Sequence, residues 1–170
     1  MEDLLILVDP LDRQIGTAGK AEAHRDGLLH RAFSVFIVRD GKLLIQRRNI
    51  DKYHSGGLWA NACCSHPRDG EALCDAVQRR MREELGFCCP VEEIGHFVYR
   101  SRYAEHLYEY EYDHVFLGSW DGEVLPNPEE VSEIRWISPE ELARDLRENA
   151  QNYGTWFVTA APMVLEHLQK

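Results

Sequence analysis

The sequence predicts a single α/β or α+β domain, because strand-like and helix-like segments alternate along it. Its 170 residues, 44% of them hydrophobic, suffice for one substantial core. Apolar runs containing β-branched residues recur, and other segments have the periodicity or the capping residues of helices. The apolar run in the acidic N-terminus is too short for a signal peptide, and no run approaches the ~20 residues of a membrane span. We expect one domain over residues 1–170, located in the cytoplasm.

The chain begins with a predicted strand over residues 4–8. A turn-rich segment follows over 9–19, and residues 21–30 then carry His24 and His30. Each histidine, taken alone, is typical of a surface position.

A β-hairpin is predicted next. Residues 32–38 and 43–47 are apolar runs joined by an Asp-Gly turn, which is a strong hairpin signal. The hairpin exit carries basic residues, namely Arg47, Arg48 and Lys52. They form either a solvated basic turn or part of an anion site.

A loop carrying thiols and a histidine, beginning at Asn61, is predicted to lead into a helix over residues 72–85. Apolar residues recur there at three- and four-residue spacing, and Gly86 ends the helix. Arg80 and Glu84 fall on the same inward face. A charge facing a core is costly unless it is paired, bound to a metal or in contact with a charged ligand. The pattern therefore indicates either an ion pair or a metal and phosphate site.

The second half predicts strands over residues 91–100, 108–120 and 134–137. In the second of these strands, period-two alternation places Glu109, Glu111 and Asp113 on one face and the tyrosines on the other. Such a face is usually solvated, but three adjacent carboxylates repel, so a bound cation or a raised pKa would relieve them. A turn-rich loop covers 121–128. Ser138-Pro139 then starts a helix, and a last helix is predicted over 162–168.

Charge and cysteine content narrow the function classes. The net charge of -10 arises entirely after residue 103, where 4 Lys/Arg face 14 Asp/Glu. Nucleic acid is therefore an unexpected partner, whereas a small anion remains compatible with the local basic residues. Five cysteines, with adjacent pairs at 63–64 and 88–89, suit no simple disulfide framework and indicate reduced thiols.

The region around the predicted helix resembles the Nudix box. The matching residues are Glu71, Arg79, Met81, Glu83, Glu84, Gly86 and Phe87. Two positions depart, since Ser65 replaces the opening glycine and Arg80 replaces a glutamate that holds metal in Nudix pyrophosphohydrolases. This resemblance implies a mixed β-sheet sandwiched between helices.

The Arg80 departure, together with Asn61, Cys64 and His66-Pro67, resembles type 1 isopentenyl-diphosphate delta-isomerases, which have the Nudix fold and do not hydrolyse. The resemblance implies that Cys64 and Glu111 transfer protons on opposite faces of the alkene, and leaves open which is the acid. It implies that Tyr99 assists Glu111. Cys63 is a rival by adjacency, but only Cys64 lies two residues before the histidine.

The same resemblance implies ligands for two metals and a diphosphate. A manganese or zinc ion would be held by His24, His30, His66, Glu109 and Glu111, although the six-residue step between the first two histidines is one shorter than in the family. Magnesium would be held by Glu84 and the main-chain carbonyl of Cys64. The cations expected at the diphosphate are Arg48, Lys52 and Arg80.

An aromatic residue is also expected against the carbocation. We predict Trp59 as a wall of the pocket from its proximity to the thiol segment, whereas Trp156 lies only close to the family's C-terminal tryptophan position.

Two alternatives remain open on the sequence alone. One is a Nudix pyrophosphohydrolase acting on a nucleoside or prenyl diphosphate, supported by Glu71, Glu83 and Glu84 and opposed by Arg80. The other is an inactive ligand-binding module. We expect the protein to act on a small diphosphate as a monomer or weak homodimer, without nucleic acid or membrane partners.

Overall fold

A mixed nine-stranded sheet runs through the centre of the computed structural model, which describes residues 2–170. The strands are β1 Leu4–Val8, β2 Gln14–Gly19, β3 His30–Arg39, β4 Lys42–Arg48, β5 Trp59–Asn61, β6 Cys63–Ser65, β7 Val91–Ala104, β8 Leu107–Ser119 and β9 Val131–Ile137. The helices are α1 Lys20–Asp26, α2 Leu73–Leu85, α3 Pro139–Glu148 and α4 Thr155–Leu168, with a 3₁₀ turn at Ala150–Asn152.

Strand β3 organises the sheet because it pairs with four neighbours. It runs antiparallel to β1, β4 and β6 and parallel to β8, and the parallel register aligns His30 with Glu111. Strand β7 pairs with β8. Strands β5 and β9 both pair with β4, and β2 pairs with β1. The predicted hairpin is confirmed, since Asp40 and Gly41 both have positive φ, as a tight primed turn requires.

Helices cover both faces of the sheet, which confirms the predicted sandwich. On one face, Val77, Met81 and Leu85 of α2 pack against Phe33 and its neighbours. On the other face, Phe157 of α4 stacks on Phe36. The side chains of both layers are almost fully buried, and such burial is the main stabilising contribution to a domain of this size. Within residues 2–170, no helix has the length and apolar character needed to cross a membrane.

The strands predicted over 91–100 and 134–137 are longer than expected, at Val91–Ala104 and Val131–Ile137, and three other predictions were wrong. Residues 14–19, expected to be turn-rich, form β2, whose polar sequence is held by pairing with β1. The thiol segment, expected as a loop, is strand β6, in which Cys64 lies opposite Ser34 of β3. The last helix begins at Thr155 rather than at 162, because its buried apolar face already includes Trp156 and Phe157, and Pro162 lies inside it.

Candidate active site

A cleft lined by side chains of β6, β7 and β8 brings most of the predicted residues together. Its walls include the three predicted catalytic residues, Cys64, Tyr99 and Glu111. They also include Arg48 at the end of β4, Lys52 in the loop after it, and Glu84 from α2. The cleft therefore combines cations, carboxylates and a thiol in one place.

Strand β6 separates the two adjacent thiols. Cys63 is fully buried in the core beside α2, whereas Cys64 lines the cleft. Successive side chains of a strand point to opposite faces, so only one of the two can reach the cleft. Burial raises the pKa of the Cys64 thiol to about 12, so Cys64 is protonated at neutral pH.

The three carboxylates of β8 share one face, as the alternation predicts, but that face is buried rather than solvated. Glu109, Glu111 and Asp113 are each less than 10% exposed. The Tyr99 hydroxyl donates a hydrogen bond to Glu111 Oε1, because the β7–β8 register places these residues opposite each other. Burial, followed by the charge of Glu111, raises the pKa of Asp113 well above its usual range.

Four side chains form a candidate metal centre. One ligand atom from each of His24, His30, His66 and Glu109 lies within 4.8 Å of the others. His24 Nε2, His30 Nε2 and Glu109 Oε2 are buried and have no hydrogen-bond partner. Unpartnered buried polar atoms are costly, and a cation at their centre would satisfy them. Three imidazoles and a carboxylate are a donor set that suits a divalent transition metal.

Glu111 lies beside this cluster. Its Oε2 lies 2.8 Å from His66 Nε2 and 3.4 Å from His30 Nε2. Burial and the neighbouring Glu109 oppose ionisation of Glu111, but the contacts with the two histidines outweigh them and lower its pKa. The structure also brings His24 into the cluster despite the short step to His30, since α1 ends at Asp26, Gly27 caps it in the left-handed conformation, and β3 begins at His30.

The sequence of the chain matches a known protein family. The NUDIX domain family matches residues 28–157. The chain is 50% identical over 159 residues to "Isopentenyl-diphosphate Delta-isomerase 2" of Photorhabdus laumondii, which covers 92% of the chain and 89% of the relative. It is 45% identical over 166 residues to the enzyme of the same name from Aromatoleum aromaticum, covering 97% of the chain and 88% of the relative.

The chain belongs to the isopentenyl-diphosphate Delta-isomerase family of Nudix proteins. Solved structures support the fold alone, because their sequences are distant. A Deinococcus radiodurans protein has a TM-score of 0.76 at 19% identity and covers 94% of this chain and 98% of its own. A MutT NUDIX hydrolase from Burkholderia pseudomallei has a TM-score of 0.65 at 21% identity and covers 80% of this chain and 98% of its own.

Arg80 replaces the glutamate that the Nudix hydrolase pattern has at this position. In the structure its side chain faces two carboxylates. Its guanidinium lies 2.7 Å from Glu84 Oε1 and 2.6 Å from Glu83 Oε2. It lines an adjoining cleft together with Lys20, Ser65 and His66, three residues that also line the main cleft. Arg80 therefore borders the site without lining its main cleft.

The aromatic wall differs from the prediction. Trp59 is not among the residues that line the cleft, and its side chain packs against the core beside α4. The structure brings Trp156 there instead, where its indole nitrogen donates to Asn61 Oδ1 at 3.1 Å. In this member of the isomerase family, the first turn of α4 therefore supplies an aromatic wall of the cleft.

Further cleft residues lie outside the predicted set of site residues. They include Lys20, Tyr53, His54 and Asp113. The alternation on β8 predicts the face that Asp113 occupies but no role for it in the site. Tyr53 and His54 directly follow Lys52, and only tertiary contacts distinguish them from other loop residues.

Proposed function

We propose that the protein isomerises isopentenyl diphosphate to dimethylallyl diphosphate, with Cys64 and Glu111 as the proton-transfer residues. One observation carries the assignment of roles: a protonated thiol and a tyrosine-bound carboxyl share one cleft in a member of this isomerase family. We also propose that residues 1–170 form a single α/β domain.

The reaction moves a double bond by two proton transfers. A proton is added to the terminal alkene carbon, whose π electrons form the new C–H bond and leave a tertiary carbocation. A base then removes a proton from the carbon two positions along, and those electrons form the new double bond. The high pKa of Cys64 favours a neutral thiol, and the histidine contacts of Glu111 favour a carboxylate. In the resting protein this supports Cys64 as the group that holds a proton and Glu111 as the group that accepts one.

Other residues in and beside the cleft orient the substrate. Arg48, Lys52 and Arg80 are proposed to bind the diphosphate, and Lys20 adds a fourth cation nearby. Trp156 supplies an electron-rich ring, over which Arg48 lies at 5.1 Å. Tyr99 holds the Glu111 carboxyl by its hydroxyl group. These contacts favour one orientation of the alkene between the two proton-transfer groups.

The residues present fit two divalent cations. We propose manganese or zinc at His24, His30, His66, Glu109 and Glu111, and magnesium at Glu84, whose Oε2 is buried without a partner. When bound, the first ion would add positive charge beside Glu111, and magnesium, held by Glu84 and the Cys64 carbonyl, would supply positive charge for the diphosphate. A cytoplasmic location is compatible with the five free cysteines, and we propose a monomer or weak homodimer.

Proton NMR of the protein with isopentenyl diphosphate and magnesium in deuterium oxide tests the function. We expect dimethylallyl diphosphate that carries deuterium, with no release of inorganic phosphate. Cys64→Ala and Glu111→Gln should each lower turnover by ~10²–10⁴-fold, while the exposed Cys74→Ala control keeps it. Unchanged substrate, with phosphate released from nucleoside diphosphate derivatives, would overturn the proposal in favour of hydrolysis.

A further inference from the structure

Two consecutive residues of the loop between β4 and β5 contact a single oxygen of the metal-centre carboxylate. The Tyr53 hydroxyl donates to Glu109 Oε1 at 3.0 Å, and His54 Nε2 lies 3.0 Å from the same oxygen. His24 Nε2 lies 2.9 Å from it as well, without a hydrogen bond. The other oxygen, Oε2, is buried and has no partner. The two oxygens of Glu109 are therefore chemically different.

The hydrogen-bond roles of His54 follow from its neighbours. An ionised carboxylate only accepts hydrogen bonds, so Nε2 of His54 carries the proton that meets Glu109. Nδ1 of the neutral ring is then an acceptor, and Ser55 Oγ lies 3.0 Å from it and can donate. His54 is thus set in one tautomer that presents a donor to the carboxylate.

Packing holds the His54 ring in this orientation. The ring stacks on Tyr103 at 4.2 Å with an interplanar angle of 6°, and it meets Trp156 edge-on at 5.9 Å. Its backbone carbonyl accepts a hydrogen bond from Arg48 at 3.3 Å. Contacts on both ring and backbone leave His54 little freedom to turn away from Glu109.

Tyr53 connects the same carboxylate to α1. Its ring stacks on the imidazole of His24 at 5.2 Å, and Lys20 Nζ lies 4.6 Å above it. One residue therefore contacts a carboxylate on β8, a histidine ligand on α1 and a cation of the anion site.

We propose that Tyr53 and His54 are positioning residues for the metal centre: they occupy Glu109 Oε1 and thereby leave Oε2 as the oxygen that binds the cation. The inference rests on the proposed metal site and deepens it. Groups that hydrogen-bond to metal ligands fix the ligand orientation, and their loss typically lowers metal affinity ~10–100-fold.

The experiment compares Zn²⁺ binding by chelator-treated full-length variants, using competition with a chromophoric chelator. His54→Phe keeps a ring that can stack on Tyr103 and removes the donor, and Tyr53→Phe removes only the hydroxyl. We expect each to weaken Zn²⁺ binding ~10–100-fold. His54→Gln, which can supply an N–H near the same oxygen, should recover much of the affinity. His96→Phe is the matched control, because His96 also stacks on a tyrosine, Tyr112, but is exposed and outside the cleft.

Absorption spectra of the Co²⁺-loaded variants provide a second readout. A changed carboxylate orientation should shift the visible bands in His54→Phe and leave them unaltered in His96→Phe. Wild-type affinity and spectra in both Tyr53→Phe and His54→Phe would overturn the inference while leaving the metal site intact. An equal loss in His54→Gln and His54→Phe would also overturn it, since the role would then be packing. Absence of Zn²⁺ binding by the wild-type protein would overturn the metal site itself. If His54→Phe does not fold, Tyr53→Phe alone decides between these outcomes.

Discussion

Replacing Asn61 by alanine should destabilise the protein through three hydrogen bonds made by one buried side chain. Asn61 is fully buried, and its amide nitrogen donates to the carbonyls of Cys63 at 2.7 Å and Val35 at 3.2 Å. Its amide oxygen accepts from the Trp156 indole at 3.1 Å. At ~1 kcal/mol for each bond, Asn61→Ala should lower the free energy of unfolding by ~3 kcal/mol. Equilibrium unfolding in urea measures this change directly.

A double-mutant cycle isolates the bond that links β5 to α4. Asn61→Ala strands a buried indole N–H, whereas in a Trp156→Phe background no such donor exists. The cost of Asn61→Ala should therefore fall by ~1 kcal/mol when Trp156 is already phenylalanine. Asn127→Ala is the control, because its Oδ1 accepts one exposed hydrogen bond from the backbone of Glu129. That substitution should change stability by less than ~0.5 kcal/mol.

Additive effects in the cycle, within ~0.3 kcal/mol, would refute the reasoning, since they would mean that Asn61 and Trp156 are not coupled. A large effect of Asn127→Ala would refute the claim that burial decides the magnitude. An unchanged denaturant slope is needed in every variant, because a changed slope indicates an altered denatured state.

Three further predictions follow from charges and burial. Burial raises the pKa of Cys64 to about 12, so iodoacetamide at pH 8 should alkylate it far more slowly than the exposed Cys74; equal rates by peptide mass spectrometry would contradict this. Arg80→Gln leaves the buried Glu84 without its cation, so we expect the free energy of unfolding to fall by ~1.5–3 kcal/mol. We also expect a higher KM for isopentenyl diphosphate, and an unchanged KM would contradict the proposal that Arg80 binds the diphosphate. The hydrogen bonds from Arg79 lower the pKa of Glu71 in the folded protein. The ion pair therefore stabilises the folded state above the unfolded pKa of ~4.3, and this stabilisation is lost as the pH falls through the folded-state pKa of Glu71. Glu71→Gln should therefore lower the urea midpoint at pH 7 but not at pH 2, and equal losses at both would contradict the ion pair.

The local patterns of the sequence predicted most elements, whereas the family resemblance, not those patterns, indicated Cys64, Tyr99 and the histidine ligands. Alternation on β8 placed Glu109 and Glu111 on one face, because side chains of a strand repeat every two residues. Helical periodicity predicted that Arg80 and Glu84 face inward, and the Asp-Gly pair predicted the hairpin. These features depend only on neighbours in the chain, so the sequence alone determines them.

Tertiary structure decided what those patterns left open. The pairing of β6 with β3 selected Cys64 over Cys63, since a strand presents only one of two adjacent side chains to the cleft. Burial of the β8 carboxylates depends on histidines and a loop from distant parts of the chain. Trp156 replaced the expected Trp59 because α4 begins early and packs against β5 through Asn61. Tyr53 and His54 carry no local signal, since their relation to Glu109 spans more than fifty residues and exists only once the sheet has formed.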